Sequence, residues 1–164
     1  MAASASAAND LKIGYVDTAR VLKEAPQSET ARKKLKDEFN PRDEKIVDMQ
    51  NRLKAMTEQQ ERDDKVMSNT ARRKLERDIL TLKRDIKRAK EEFTEDFNLR
   101  RNEELAKLQR IIQKTTVDLA KDRGFDVVLS ESVLYSSKRV DITDLVLERL
   151  RKASQQNDRT NNKK

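Results

Sequence analysis

Cysteine, histidine and tryptophan are all missing from this chain of 164 residues. Their absence removes the thiol nucleophile, the imidazole base, the Ser-His-Asp arrangement and the usual zinc ligands together. Glycine and proline occur twice each. The two glycines, Gly14 and Gly124, stand far apart and cannot build a phosphate-cradling loop. With two Tyr and four Phe, a large compact core is not expected. Few chain breakers argue equally against a disordered chain, which is richer in them. No run of about 18 apolar residues occurs, so no segment reads as a membrane-spanning helix.

What the sequence has instead is charge. Charged residues make up 41% and hydrophobic ones 35%, against a usual ~25% and ~45–50%. Carboxylates are plentiful, but most precede a base by four residues: Glu29 and Lys33, Asp48 and Arg52, Glu58 and Arg62, Glu61 and Lys65, Glu103 and Lys107. That spacing is ordinary pairing on a helix surface. No catalytic residue, cofactor site or metal ligand is expected, and the chain reads as a non-enzyme. High charge with helical periodicity points to long, solvent-exposed paired helices and an elongated protein.

The elements follow from punctuation and period. Lys12–Val16 reads as a short strand, with Asp17 or Thr18 capping a short helix that carries Val21, Leu22 and Ala25 until Pro26 stops it. A second helix starts near Ser28 with Ala31, Leu35 and Phe39 on one face, and Asn40-Pro41 is expected to interrupt it. The stripe resumes at Ile46, Met49, Leu53 and Met56, a coiled-coil spacing. The pattern stops between about 60 and 69, with a tip near 62–70. Ser68 or Thr70 then caps a helix whose stripe is Leu75, Ile79, Leu82, Ile86, Ala89 and Phe93. Two such stripes joined by a short loop predict an antiparallel helical hairpin over 28–122.

Beyond Phe93 the heptad would bring Asp96, Arg100, Glu103 and Lys107 into the seam. Phe97, Leu108 and Leu119 instead recur 11 apart, with Leu105, Ile112 and Thr115 alongside, so the base of the hairpin should be straighter than its outer half. The helix runs to about Asp122, where Gly124 caps it. Some 50 residues of helix extend about 75 Å.

Two further strands are predicted at Asp126–Ser130 and Val133–Ser136. A last helix follows, capped by Asp141 or Thr143 and bearing Ile142, Leu145, Val146 and Leu150. Residues 11–27 and 123–151 thus form a small β-body, α+β but mostly α overall, from which the hairpin leaves and to which it returns. Three short strands and two short helices bury little, so the body should need other copies of itself to close its sheet edges. Ile13, Tyr15, Val127, Leu129, Val133 and Tyr135 are the strand residues placed there. Residues 152–164 are polar and read as a disordered tail. Residues 1–10 read as a flexible start. Their small-x-small triplets, such as Ala3-Ser4-Ala5, are what remains beside a signal-peptidase site, and an expression remnant fits them equally well.

The net charge of +7 is unevenly spread. Residues 21–70 hold 11 basic and 11 acidic side chains, whereas residues 71–90 hold nine basic and three acidic. The block at the tip contains Arg72, Arg73, Lys74, Arg77, Lys83, Arg84, Lys87, Arg88 and Lys90. An unfolded or acidic partner, or an anionic membrane surface, would be drawn there in a salt-dependent way, although a merely soluble helix face has the same composition. Met49, Met56 and Met67 are adaptable apolar contacts, or seam residues. Pro41 is the candidate hinge through which the arms could spread.

Four segments carry a family likeness: "IGYVDTARVLKEAP" (13–26), "EFNPRDEKI" (38–46), "EDFNLRRNEELAKL" (95–108) and "GFDVVLSESVLYSSKRVDITDLVLERL" (124–150). In this order and spacing, from about Leu11 to Arg151, the chain resembles the OmpH-like family of periplasmic chaperones. The resemblance implies a jellyfish-like homotrimer, with strands of three chains in a central body and three helical arms around a cavity. It further implies that unfolded outer-membrane β-barrel proteins are held there without ATP or any cofactor, in the periplasm, with the signal peptide removed. A lipopolysaccharide site proposed for the family would fall nearest Lys87, Arg88, Arg100 and Arg101, but Leu99 stands where a basic residue belongs. Two rival classes remain, a basic coiled coil that binds nucleic acid and a structural spacer. Nucleic acid is not the expected partner, because acidic residues interrupt the basic ones and no aromatic stacking platform is present. A prefoldin-like cytosolic holdase would share the tentacle shape, and the strand-plus-helix ending favours the periplasmic family.

Overall fold

The computed structural model describes residues 10–161, which form β1 (Ile13–Tyr15), α1 (Thr18–Glu24), α2 (Pro26–Asp63), α3 (Asn69–Arg123), β2 (Val127–Leu129) and α4 (Thr143–Asn161). The small-residue start expected to be flexible (1–9) and the end of the expected tail (162–164) lie outside the described residues. The chain divides into two compact units, one of residues up to Ala31 and from Glu104, the other Arg32–Glu103. None of the described helices is long and apolar enough to cross a membrane.

In the first unit, β1 and β2 pair in parallel, with Ile13 opposite Val127, Gly14 opposite Val128 and Tyr15 opposite Leu129. A parallel pair needs a crossover, and here α1, α2 and α3 supply it. On the other side of β1, the Tyr15 amide donates to the Val140 carbonyl (2.7 Å) and the Ile142 amide donates to the Tyr15 carbonyl (2.8 Å). β1 is therefore flanked on both sides. The second predicted strand over 133–136 is a correction, since Val133 and Tyr135 lie outside any strand. After β2 the chain turns at Ser132, whose φ of 63° is left-handed, and returns to β1 only at Asp141. A strand needs ladder partners, and β1 has already taken β2.

Gly14 lets this packing close without displacing a side chain. A Cβ there would lie 2.9 Å from Ile142 Cδ1 and 3.3 Å from Phe125 Cδ1, so Ile142 and Phe125 close over the bare backbone. The core of this unit joins Val16, Val21 and Ala25 to Leu108, Ile112 and Leu119 of α3 and to Ile142, Val146, Leu147 and Leu150. These α3 residues place the helix from Glu104 onward with the strands, where the sequence assigned everything to 122 to the arm. Leu105, expected beside that stripe, is 41% exposed.

The caps are built as the sequence suggested, with one division of labour. Asp17 accepts from the Arg20 amide (2.9 Å) and Ser68 Oγ accepts from the Ala71 amide (3.2 Å). Asp141 accepts from the Thr143 amide (2.9 Å), which frees the fully buried Thr143 hydroxyl to accept from the Asp17 amide (3.0 Å) and tie α4 to α1. Replacing Thr143 by valine keeps the shape and strands that amide. The expected cost is about 1–3 kcal/mol, read as a lower urea midpoint at unchanged slope.

Helix boundaries differ from expectation at three places. Pro26 stops α1 at Glu24 as expected, and it also opens α2 ahead of the predicted start near Ser28, a favoured first-turn position because the missing N–H would be unbonded there anyway. Pro41 lies inside a continuous α2, so the predicted interruption is a correction. One lost hydrogen bond is borne where Phe39, two residues away, is buried against α3. α4 likewise runs to Asn161, through residues expected to be a disordered tail. Its polar final turns propagate from the buried Val146–Leu150 segment, and adding a residue to an existing helix costs far less than starting one. Gly124, with φ of 66°, ends α3 as predicted.

Candidate functional site

The second unit (Arg32–Glu103) pairs the tipward part of α2 with the first part of α3. Its buried residues are Phe39, Ile46, Ile79 and Ile86, all on the stripes that the heptads marked. Most remaining surface is charged. Arg73, Lys74, Arg77, Lys83 and Arg84 are exposed, whereas Arg72 turns back to the tip. Its guanidinium lies 3.1 Å from Asp64 Oδ1 and donates to the Asp64 carbonyl (2.6 Å), which closes the turn between α2 and α3. Arg72 thus belongs to the turn more than to a free basic surface.

The four residues nearest an anion site fall into two pairs. Lys87 approaches Glu91 (3.8 Å), and Arg88 lines a groove of about 380 Å³ between α2 and α3. Arg100 pairs with Glu38 of α2 (3.2 Å) and with Glu103, while Arg101 is exposed. The hydrogen bonds that Arg100 donates to Glu38 and then to Glu103 raise its pKa above the ordinary value. At 1.5 Å per residue the two pairs lie about 20 Å apart along α3, so they do not make one site. Nor do the simplest spacing pairs form throughout. Glu103 turns to Arg100, and Lys107 turns to Glu104 (2.8 Å).

Three of the four phenylalanines meet at one level of this unit. Phe39 stands edge-on to Phe93 (5.5 Å) and to Phe97 (5.2 Å), and the latter two lie parallel at 6.0 Å. Sequence reasoning placed each on a stripe without bringing them together. The signal was present, since Phe93 closes the heptad and Phe97 opens the 11-residue repeat. Arg42 and Asp96, which bridge α2 and α3 at 2.8 Å beside the cluster, were missed as well.

In the first unit, the alternation along the strands leaves one face outward. Ile13, Val127 and Leu129 are about two-fifths exposed or more, and Tyr15 is half-buried, whereas Gly14 and Val16 face the core. Leu134 is fully exposed and Tyr135 is 82% exposed. A separate groove of about 630 Å³ is lined by Val16, Leu22, Phe125 and Val128 together with Gln113 and Thr116 of α3. Among the described residues no group of three or more acidic side chains is arranged to hold a metal ion. The surfaces offer contact, charge and apolar area.

Comparison with known proteins agrees with this architecture. A family described as outer membrane protein (OmpH-like) matches residues 12–150. The chain is 32% identical over 152 residues to chaperone protein Skp of Yersinia enterocolitica and 30% identical over 152 residues to that of Pectobacterium atrosepticum, covering 92% of each partner in both cases. With chaperone protein Skp of Vibrio cholerae it shares 31% over 153 residues, covering 92% of this chain and 89% of the relative. A crystal structure of an OmpH-like protein from Caulobacter crescentus has a TM-score of 0.75 over 85% of this chain and 83% of that one. At 12% identity, that likeness is one of fold.

Proposed function

The chain belongs to the OmpH-like outer membrane protein family, and from that premise we propose that it is an ATP-independent periplasmic holdase chaperone. Unfolded outer-membrane β-barrel proteins are its clients; it keeps them from aggregating between helical arms and passes them toward the outer membrane. The observation that carries this reading is the extent of the family match, which runs from β1 through both long helices to α4 and so includes strands and arms alike. The relatives with the same span are named as chaperones.

Self-association follows from the first unit. Ile13, Tyr15, Val127 and Leu129 present an apolar sheet face, and Leu134 and Tyr135 of the loop after β2 stand in solvent. Large apolar groups clustered in this way mark a contact surface. A second copy supplies both what the face needs and what the loop needs. The homotrimer that the family resemblance implies would bury this face between copies, a closed arrangement that leaves no end exposed.

The arm surface suits a client that has no fixed shape. Exposed cations alternate with carboxylates, and Val47, Val66, Leu80 and Leu99 are exposed among them. Such a surface holds many sequences weakly and repeatedly. Lys87 with Arg88, and Arg101 further along, are also open to an anionic lipid headgroup such as that of lipopolysaccharide.

Co-elution of a urea-unfolded β-barrel protein with the chain, diluted together without nucleotide, tests the proposal. A stable complex is expected at low salt. Replacing Arg73, Lys74 and Arg77 by glutamate should weaken it several-fold, and high salt should narrow the gap between variant and parent. Failure of a folded chain to retain the client, with retardation of duplex DNA instead, would favour the nucleic-acid reading.

A further inference from the structure

A proline inside a long helix is the obvious place to look for a bend, because the residue four positions back loses its hydrogen bond. In this protein the proline level is the most heavily braced part of the second unit. Phe39, only 3% exposed, makes two edge-to-face contacts with α3, through Phe93 and Phe97. Arg42, one residue after Pro41, lies 5.4 Å from the centre of the Phe39 ring and pairs with Asp96 at 2.8 Å. Glu38, three residues before it, pairs with Arg100 at 3.2 Å. Aromatic edges and two ion pairs thus join α2 to α3 on either side of the missing bond, while the Arg42 cation over the Phe39 ring braces α2 itself.

The level next toward the tip is built differently. Ala89 occupies the seam position between Ile86 and Phe93, and it is the smallest residue on that stripe. A surface groove of about 380 Å³ opens there, running from Arg42 and Glu92 at the edge of the clamp to Met49 of α2 and Asp85, Arg88 and Ala89 of α3. Contacts forgone across such a gap remove the resistance that close packing would give. Met49, unbranched and with three rotatable bonds, can follow a change of spacing that a β-branched residue would resist.

We infer that the second unit is clamped at Pro41 and bends at the level of Met49 and Ala89, so that only the part beyond Ala89 adapts its angle. Pro41 then works as a tolerated defect under the clamp, and the yielding point is the small residue in the seam. The inference concerns the arm alone and stands whatever the arm holds.

Hydrogen exchange read by mass spectrometry on the full chain tests it, because bending strains the backbone hydrogen bonds at the bend. The expected profile has a local maximum of exchange at residues 47–53 and 86–92, about tenfold faster than at 36–42 on one side and 54–58 on the other. Ala89→Leu should remove that maximum, whereas Pro41→Ala should leave it in place. Phe97→Ala should raise exchange at 36–42. Three results would overturn the inference: a smooth rise toward the tip, a maximum at 36–42 that Pro41→Ala suppresses, or a maximum at 47–53 that survives in Ala89→Leu. If Ala89→Leu does not fold, Ala89→Val reads the same quantity with a smaller side chain.

Discussion

Replacing Leu150 by alanine is expected to lower the stability of the first unit by about 2–5 kcal/mol, the range for a buried leucine whose site collapses only in part. Leu150 has no exposed surface and sits in the cluster that joins α4 to α1 and to the base of α3. Its backbone carbonyl accepts from Gln27 Nε2 (2.8 Å), and that bond survives the substitution, so the loss is one of side-chain contact. The variant should unfold at a lower urea concentration with an unchanged slope. Lys152→Ala, two residues further along the same helix, should stay within about 0.5 kcal/mol of the parent, as exposed positions do. Its ion pair with Glu148 (2.7 Å) is exposed and adds little. Because α4 fixes the segment that flanks β1, Leu150→Ala should also weaken self-association at low protein concentration.

Phe39→Ala has the corresponding effect on the second unit. Phe39 is the ring that the other two share, so its loss deletes both edge-to-face contacts and the seat of the Arg42 guanidinium. Large-to-small changes of this kind cost about 3–5 kcal/mol, a large share of what holds two charged helices together. Helical signal should fall at lower temperature than in the parent. Exchange protection of amides in 36–60 and 75–97 should drop, while Val146 and Leu147 in the other unit keep theirs. An equal drop in both sets would contradict the assignment of Phe39 to a separate compact unit. Phe39→Leu should recover part of the loss through burial alone, and the remainder measures the ring contacts.

The helices were legible because their signals are local. The stripe from Leu75 to Phe93, the cap at Ser68 and the stop at Gly124 each lie within a turn or two of what they determine. The partner of a strand is not local. "DVVLSESVLYS" reads as two short strands around a turn, and nothing nearby says that the first of them pairs with residues 13–15 across the whole hairpin. Likewise Pro41 carries a local breaker signal, which the packing of Phe39 on Phe93 and Phe97 overrides. The surfaces were legible in part. Composition located the basic block, but it could not tell that Arg72 closes the tip turn or that Arg100 is taken by Glu38. Which cation pairs with which carboxylate depends on facing helices, and helix period alone does not report it.

The central claim is that this chain holds unfolded barrel proteins without nucleotide. Light scattering as a urea-unfolded outer-membrane β-barrel protein is diluted, at rising ratios of chain to client, tests it most directly. Scattering is expected to fall steeply and level off near about three chains per client, the number that the proposed homotrimer implies, with no effect of added ATP. Undiminished scattering at all ratios, from a chain shown to be folded and associated, would contradict it.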